Sequence, residues 1–107
     1  MENYIVIYIT TGKAEEAENI ATGLVKNGLA ACVNIVPEIK SIYKWKGNIC
    51  NDNECLLIVK SQKPLLKKVI KWVKKHHSYE TPEIIALPIV DGSKDYLKWI
   101  EDSCPGQ

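Results

Sequence analysis

The segment "ACVNIVPEIKSIYKWKG" (residues 31–47) is too long for the domain that has to contain it. Its apolar residues Val33, Ile35, Ile39, Tyr43 and Trp45 fall on odd positions, with Asn34, Glu38, Lys40, Lys44 and Lys46 between them. That period of two belongs to a strand with one face covered. Fully extended at ~3.3 Å per residue, residues 31–45 would reach about 50 Å. A globule of this length has a radius of gyration of roughly 13 Å and is about 33 Å across. Even with twist and a bulge at Pro37, which has no N–H to give a ladder, the hairpin overhangs its own domain. An overhanging strand that carries Ile39, Ile42, Tyr43 and Trp45 is an aggregation hazard unless something covers it. The natural cover is another copy of the same chain, added strand to strand.

Around this segment the hydrophobic period alternates. "YIVIYIT" (Tyr4–Thr10) is a continuous β-branched and aromatic run, expected as a central strand buried on both faces. From Ala14 to Asn27 the residues Ala17, Ile20, Ala21, Leu24 and Val25 recur at helical spacing, and Gly28 closes that helix. "GNICNDNE" supplies turn chemistry, and "CLLIVKS" (Cys55–Ser61) reads as the returning strand of the hairpin. Pro64 opens a second helix with Leu66, Val69, Ile70 and Val73 as its buried stripe. Lys67, Lys68, Lys71, Lys74 and Lys75 form its solvated side. "PEIIALPIV" is a fourth strand, where Pro88 points to an edge or a bulge, and Ser93 N-caps a short helix through Ile100. The order strand–helix–strand–strand–helix–strand is the split βαβ, ferredoxin-like α+β arrangement, an antiparallel sheet with helices on one face. Residues 1–107 make a single domain without internal repeat or linker.

Composition removes several function classes. The chain is 46% hydrophobic and 25% charged, ordinary for a folded protein, and its net charge of +1 gives no bias toward nucleic acid or an anionic membrane. No apolar run approaches the ~20 residues that span a bilayer. "MENYIVIYITTGK" has neither the charged start nor the small-residue cleavage site of an export signal, so a cytoplasmic location is expected. In that compartment Cys32, Cys50, Cys55 and Cys104 are expected as thiols. No Gly-rich phosphate loop or nucleophile elbow appears, and an enzymatic role is not expected.

The chemistry-bearing stretch is "KKHHSYETPE" (residues 74–83). His76 and His77 flank the end of the second helix, where imidazole and lysine complement the dipole and bond the last carbonyls. The same pair are candidate metal ligands, although adjacent helical side chains diverge by ~100° and do not easily share one ion. In an oligomer, histidines from several subunits, or Glu80 and Glu83, could meet in one cleft, and imidazole with carboxylate suits copper or zinc. Glu80 or Glu83 beside His77 could also serve as acid and base. Cys50-x4-Cys55 is a second metal candidate that lacks the second close pair of a structural zinc site.

"GLAACVNIVPEIKSIYKWKG" (Gly28–Gly47) and "HHSYETPEIIALPIVDGSKDYLKWI" (His76–Ile100) resemble the CutA family of divalent-cation tolerance proteins, and with the element order the likeness runs from Tyr4 to Ile100. The resemblance implies a homotrimer of ferredoxin-like subunits, similar in architecture to the trimeric nitrogen-regulatory signalling proteins. It implies a role in the response to metal ions, with copper(II) or another divalent cation weakly bound, and no established enzymatic activity. Animal members of the family are linked to acetylcholinesterase processing. Copper ligation in bacterial members is attributed to paired histidines, matching His76 and His77, and to a cysteine whose position falls at Ile9. The second function class left open is a regulatory or interaction trimer whose intersubunit clefts bind a small anionic ligand or a partner protein.

Overall fold

In a computed structural model that describes residues 3–105, Ile5, Ile7 and Ile9 project from one face of β1 (Tyr4–Thr11) and are buried. Leu57 and Val59 of β3 (Asn48–Gln62) lie beside them, in the register Ile9↔Leu57 and Ile7↔Val59. Two helices close over this layer. From α1 (Ala14–Lys26) come Ala17, Ile20, Ala21 and Leu24, and from α2 (Leu66–His76) come Val69 and Val73. The lysines of α2 stand on its exposed side. A 3-10 turn at Lys63–Leu65, with Pro64 inside it, leads into α2, and Gly28 ends α1 at φ +70°.

The remaining elements are β2 (Cys32–Trp45), β4 (Ile84–Pro88) and α3 (Lys94–Ser103), whose Ser93 side chain accepts a hydrogen bond from the Tyr96 N–H. The strands form one sheet in the order β2-β3-β1-β4, every neighbouring pair antiparallel. This is the expected ferredoxin-like arrangement. Pro88 ends an edge strand, where a missing N–H costs no ladder bond.

Three expectations need correction. The turn of the hairpin is not "GNICNDNE". It is the two residues Lys46 and Gly47, both at positive φ (53° and 84°), the geometry that twists two strands into a tight hairpin. Asn48–Glu54 is therefore strand, paired along its length with β2.

Second, the odd-numbered residues of β2 do not share a face. A bulge between Val36 and Ile39, with Glu38 at φ 60°, adds one residue to β2. Val33 and Ile35 pair with Val59 and Leu57 on the helix side, whereas Ile39, Tyr43 and Trp45 pair with Glu54, Cys50 and Asn48 on the other. One inserted residue swaps the faces of everything beyond it.

Third, β1 is not buried on both faces. Val6 and Tyr8 are only half-buried, and with Leu56 and Ile58, and the exposed Val36, Ile85 and Leu87, they form an apolar sheet face that no element of the described residues covers. The hairpin overhangs as expected: the molecule measures 44 × 25 × 22 Å.

The α1–α2 contact rests on one glycine. A Cβ built at Gly23 would lie 2.2 Å from the Trp72 ring, closer than real contacts allow. Gly23→Ala should therefore destabilise by about 1–3 kcal/mol through overpacking, although alanine is the better helix former. Adding Trp72→Leu should recover part of the loss. A denaturant titration showing Gly23→Ala as stable as the parent would place the two helices differently.

Candidate functional site

The stretch from His76 to Glu83 leaves α2, bends over Ser78–Thr81 and enters β4, and its side chains tie three elements together. The two histidines behave in opposite ways. His76 is exposed and stacks on Trp72 with ring centroids 4.0 Å apart, and its Nδ1 lies 2.8 Å from the Trp72 carbonyl oxygen. A carbonyl only accepts, so Nδ1 carries the proton and Nε2 keeps a free lone pair.

His77 has a fully buried side chain and the reverse tautomer. Its Nε2–H donates to the Thr10 carbonyl at 2.7 Å, and its Nδ1 accepts the Tyr79 N–H at 3.0 Å. Both ring nitrogens are thus committed to backbone groups in the neutral form. Glu16 Oε2 stands 3.7 Å from Nδ1, but its bonds go to Ser78, whose N–H and hydroxyl it accepts at 2.7 and 3.1 Å. The bend is held by β1 through His77 and by α1 through Glu16.

Tyr79 makes the third tie, donating its hydroxyl to Glu54 Oε2 at 2.6 Å. A Cβ at Gly12 would come within 3.0 Å of that hydroxyl oxygen, so a residue without a side chain gives the ring its space. Next to this contact opens a cavity of about 680 Å³ at the root of the hairpin. Glu54, Glu80 and Glu83 supply its carboxylates, Lys40 its one cation, and Tyr43, Trp45 and Tyr79 its aromatic surface. Burial and the Glu54 hydrogen bond push the Tyr79 hydroxyl above the ordinary phenol range. The Asp52 hydrogen bond is the first cause that pushes Tyr43 up to about 12.

Glu80 and Glu83 are exposed and both border the cavity, while neither histidine does. Ile9 lies in the core, paired with Leu57 and Ile84. Cys50 and Cys55 sit an odd number of residues apart on one strand and so point to opposite faces. Among the described residues no three His, Cys, Asp or Glu side chains gather into a metal-holding group within one chain. All four cysteines are free thiols. Sequence reasoning missed Glu54, Tyr43, Trp45 and Lys40 as neighbours of the bend, because hairpin register alone brings them there.

A family model described as "CutA1 divalent ion tolerance protein" matches residues 5–103. The chain belongs to the CutA1 family. It is 46% identical over 98 residues to the divalent-cation tolerance protein CutA of Thermus thermophilus, an alignment that covers 92% of this chain and 95% of that protein. The solved structure of a Thermus thermophilus divalent cation tolerance protein superposes with a TM-score of 0.92 at 45% identity, covering 94% of this chain and 97% of that one. A CutA structure from Archaeoglobus fulgidus, called a periplasmic divalent cation tolerance protein, gives 0.92 at 46% identity, covering 94% and 98%. A chloroplastic CutA of Arabidopsis thaliana is 46% identical over 99 residues, which cover 92% of this chain and 54% of that protein. The chain thus spans about half the length of that plant relative.

Two outcomes follow from the site geometry. His77→Ala leaves the Thr10 carbonyl and Tyr79 N–H unpaired and should cost about 1–3 kcal/mol, whereas His76→Ala should be near neutral for stability. Equal losses in urea titrations of the two variants would contradict the buried bonds of His77 to Thr10 and Tyr79.

The tyrosines give a pH test. The folded pKa values of Tyr43 and Tyr79 lie above the unfolded value of ~10, so the stability these two contribute is complete below pH ~10 and is lost as pH rises through the folded values. Spectrophotometric alkaline titration should show the highest-pH component missing in Tyr79→Phe. Ionisation of Tyr43 and Tyr79 in the ordinary phenol range in the folded protein would refute the Asp52 and Glu54 contacts.

Proposed function

We propose that the chain is a divalent-cation tolerance protein that acts as a homotrimer and binds copper(II) or another divalent ion, without catalysing a reaction. The observation that carries this reading is the cavity's charge, three carboxylates against one lysine, beside an apolar sheet face that the described residues leave uncovered. Such a cavity attracts a cation and opposes the small anionic ligand of the alternative reading. The names of the Thermus and Archaeoglobus relatives agree with a cation role.

The donors fit a borderline ion only in part. Glu80, Glu83 and the free Nε2 of His76 are carboxylate and imidazole ligands suited to copper or zinc. His77 contributes indirectly, by holding the bend in place. With no third ligand gathered among the described residues of one chain, affinity is modest until a neighbouring copy completes the set. Covering Val6, Tyr8, Leu56, Ile58, Ile85 and Leu87 is the driving force for that assembly, at about 25 cal/mol per Å² of apolar surface removed from water.

Light scattering at micromolar concentration should find a trimer, and Leu87→Asp should weaken it by placing an unpaired charge in an apolar contact. Calorimetric copper(II) titration should show binding that weakens in acid, as ligands take up protons, and in the His76→Ala and Glu80→Gln/Glu83→Gln variants. Cys50→Ser should bind like the parent. A monomeric parent would remove the assembly, and unchanged copper affinity in the histidine and glutamate variants would remove the metal site.

A further inference from the structure

Glu54 is more than nine-tenths buried, yet it makes no ion pair with any cation among the described residues. Its Oε2 takes the Tyr79 hydroxyl, while its Oε1 has no hydrogen bond and opens on the cavity. Lys40 borders the same space without pairing with it. A carboxylate oxygen that borders a cavity without a hydrogen bond is free to accept from a cationic donor that enters it.

The surface around Glu54 discriminates between kinds of cation. Tyr43, Trp45 and Tyr79 line the cavity and are each more than a third exposed, so ring surface is open to whatever enters. The Lys46 ammonium already lies 5.9 Å from the centroid of the Trp45 ring, so that ring has an ammonium beside it in this chain. A hydrated metal ion gains little from such walls, because it keeps its oxygen ligands and its waters. An alkylammonium uses both surfaces: the charge pairs with carboxylate and ring quadrupole, and the carbon chain lies on the aromatic faces. At about 680 Å³ the cavity is in the range of small-molecule sites.

We propose that this cavity binds a small organic cation of the polyamine class, with one ammonium on Glu54 Oε1, its chain against Tyr43 and Trp45, and a second ammonium toward Glu80 and Glu83. The inference shares the cavity with the function proposed above but does not depend on the metal. Its two ends differ in burial. The Glu54 end is enclosed and should resist salt, while Glu80 and Glu83 are exposed and should be screened.

The test is calorimetric titration of the whole protein with spermidine, at low and at physiological ionic strength, with copper(II) titrated separately. Saturable binding at one site per chain is expected, and part of the affinity should survive at physiological ionic strength. Glu54→Gln should lower affinity at least tenfold, and Glu83→Gln should lower it mainly at low salt. Because Glu54→Gln also touches the Tyr79 tether, Trp45→Leu supplies an independent arm, with an expected several-fold loss that depends on the ring alone. No saturable binding by the parent, or unchanged affinity in Glu54→Gln, overturns the proposal. Unchanged affinity in Trp45→Leu removes the aromatic subsite and leaves an ordinary acidic surface. Spermidine binding without copper binding supports this inference while ending the metal reading, and the converse does the opposite.

Discussion

The pairing of β1 with β3 is the interaction on which the rest of the molecule depends. It stacks Ile5, Ile7 and Ile9 beside Leu57 and Val59, and the two helices exist as packed elements because they cover that row. Helices of this length are marginal alone in water, so their stability is borrowed from the sheet. The same pairing has a second consequence. Side chains alternate along a strand, so a row of buried isoleucines forces Val6, Tyr8, Leu56 and Ile58 onto the opposite side. The described residues fill one face of the sheet, and none of their elements covers the other.

The bulge at Val36–Ile39 decides what becomes of the hairpin beyond that sheet. Without it, Tyr43 and Trp45 would continue the helix-side face established by Val33 and Ile35. With it, they join Glu54 on the uncovered face, beside the bend that follows α2. The cavity is therefore a product of register. One extra residue, tolerated because Pro37 withholds a donor and Glu38 takes a left-handed conformation, turns an extension of the core into the wall of a site.

That dependence explains what was legible in the sequence. Helices α1 and α2 announce themselves by local period and strands β1 and β4 by short apolar runs, and the order of elements suffices for the ferredoxin-like topology. Gly28, Pro64 and Ser93 mark their ends by local chemistry. Asn51, Asp52 and Asn53 mislead because they favour turns by composition. Their extended state comes from pairing with Ile42, Ser41 and Lys40, which no local window contains. The apolar alternation of β2 misleads for a related reason: a period of two reads the same on either side of a bulge, while the faces exchange. His76, His77, Glu80 and Glu83 could be picked out as a cluster in the chain, but not sorted by environment. Glu54 carries no signal, since its burial follows from Tyr79 arriving 25 residues later in the chain.

The adjacent histidines show how strongly environment separates two identical side chains. At the last helical residue, His76 finds a carbonyl one turn back, gives it the Nδ1 proton and leaves Nε2 to solvent. At the next residue the backbone has become extended, at φ −97° and ψ 144°, and the ring of His77 swings into the protein, where the Thr10 carbonyl takes the Nε2 proton. The change of backbone conformation between them sets which nitrogen is protonated and which side chain can meet a ligand. His77 in turn orients the segment that carries Tyr79, and Tyr79 occupies one oxygen of Glu54 while leaving the other facing the cavity. A buried imidazole thus shapes the charge of a cavity it does not touch. Mutating both histidines together would mix the loss of a candidate ligand with the loss of the bend, so the two roles separate only when each residue is changed alone.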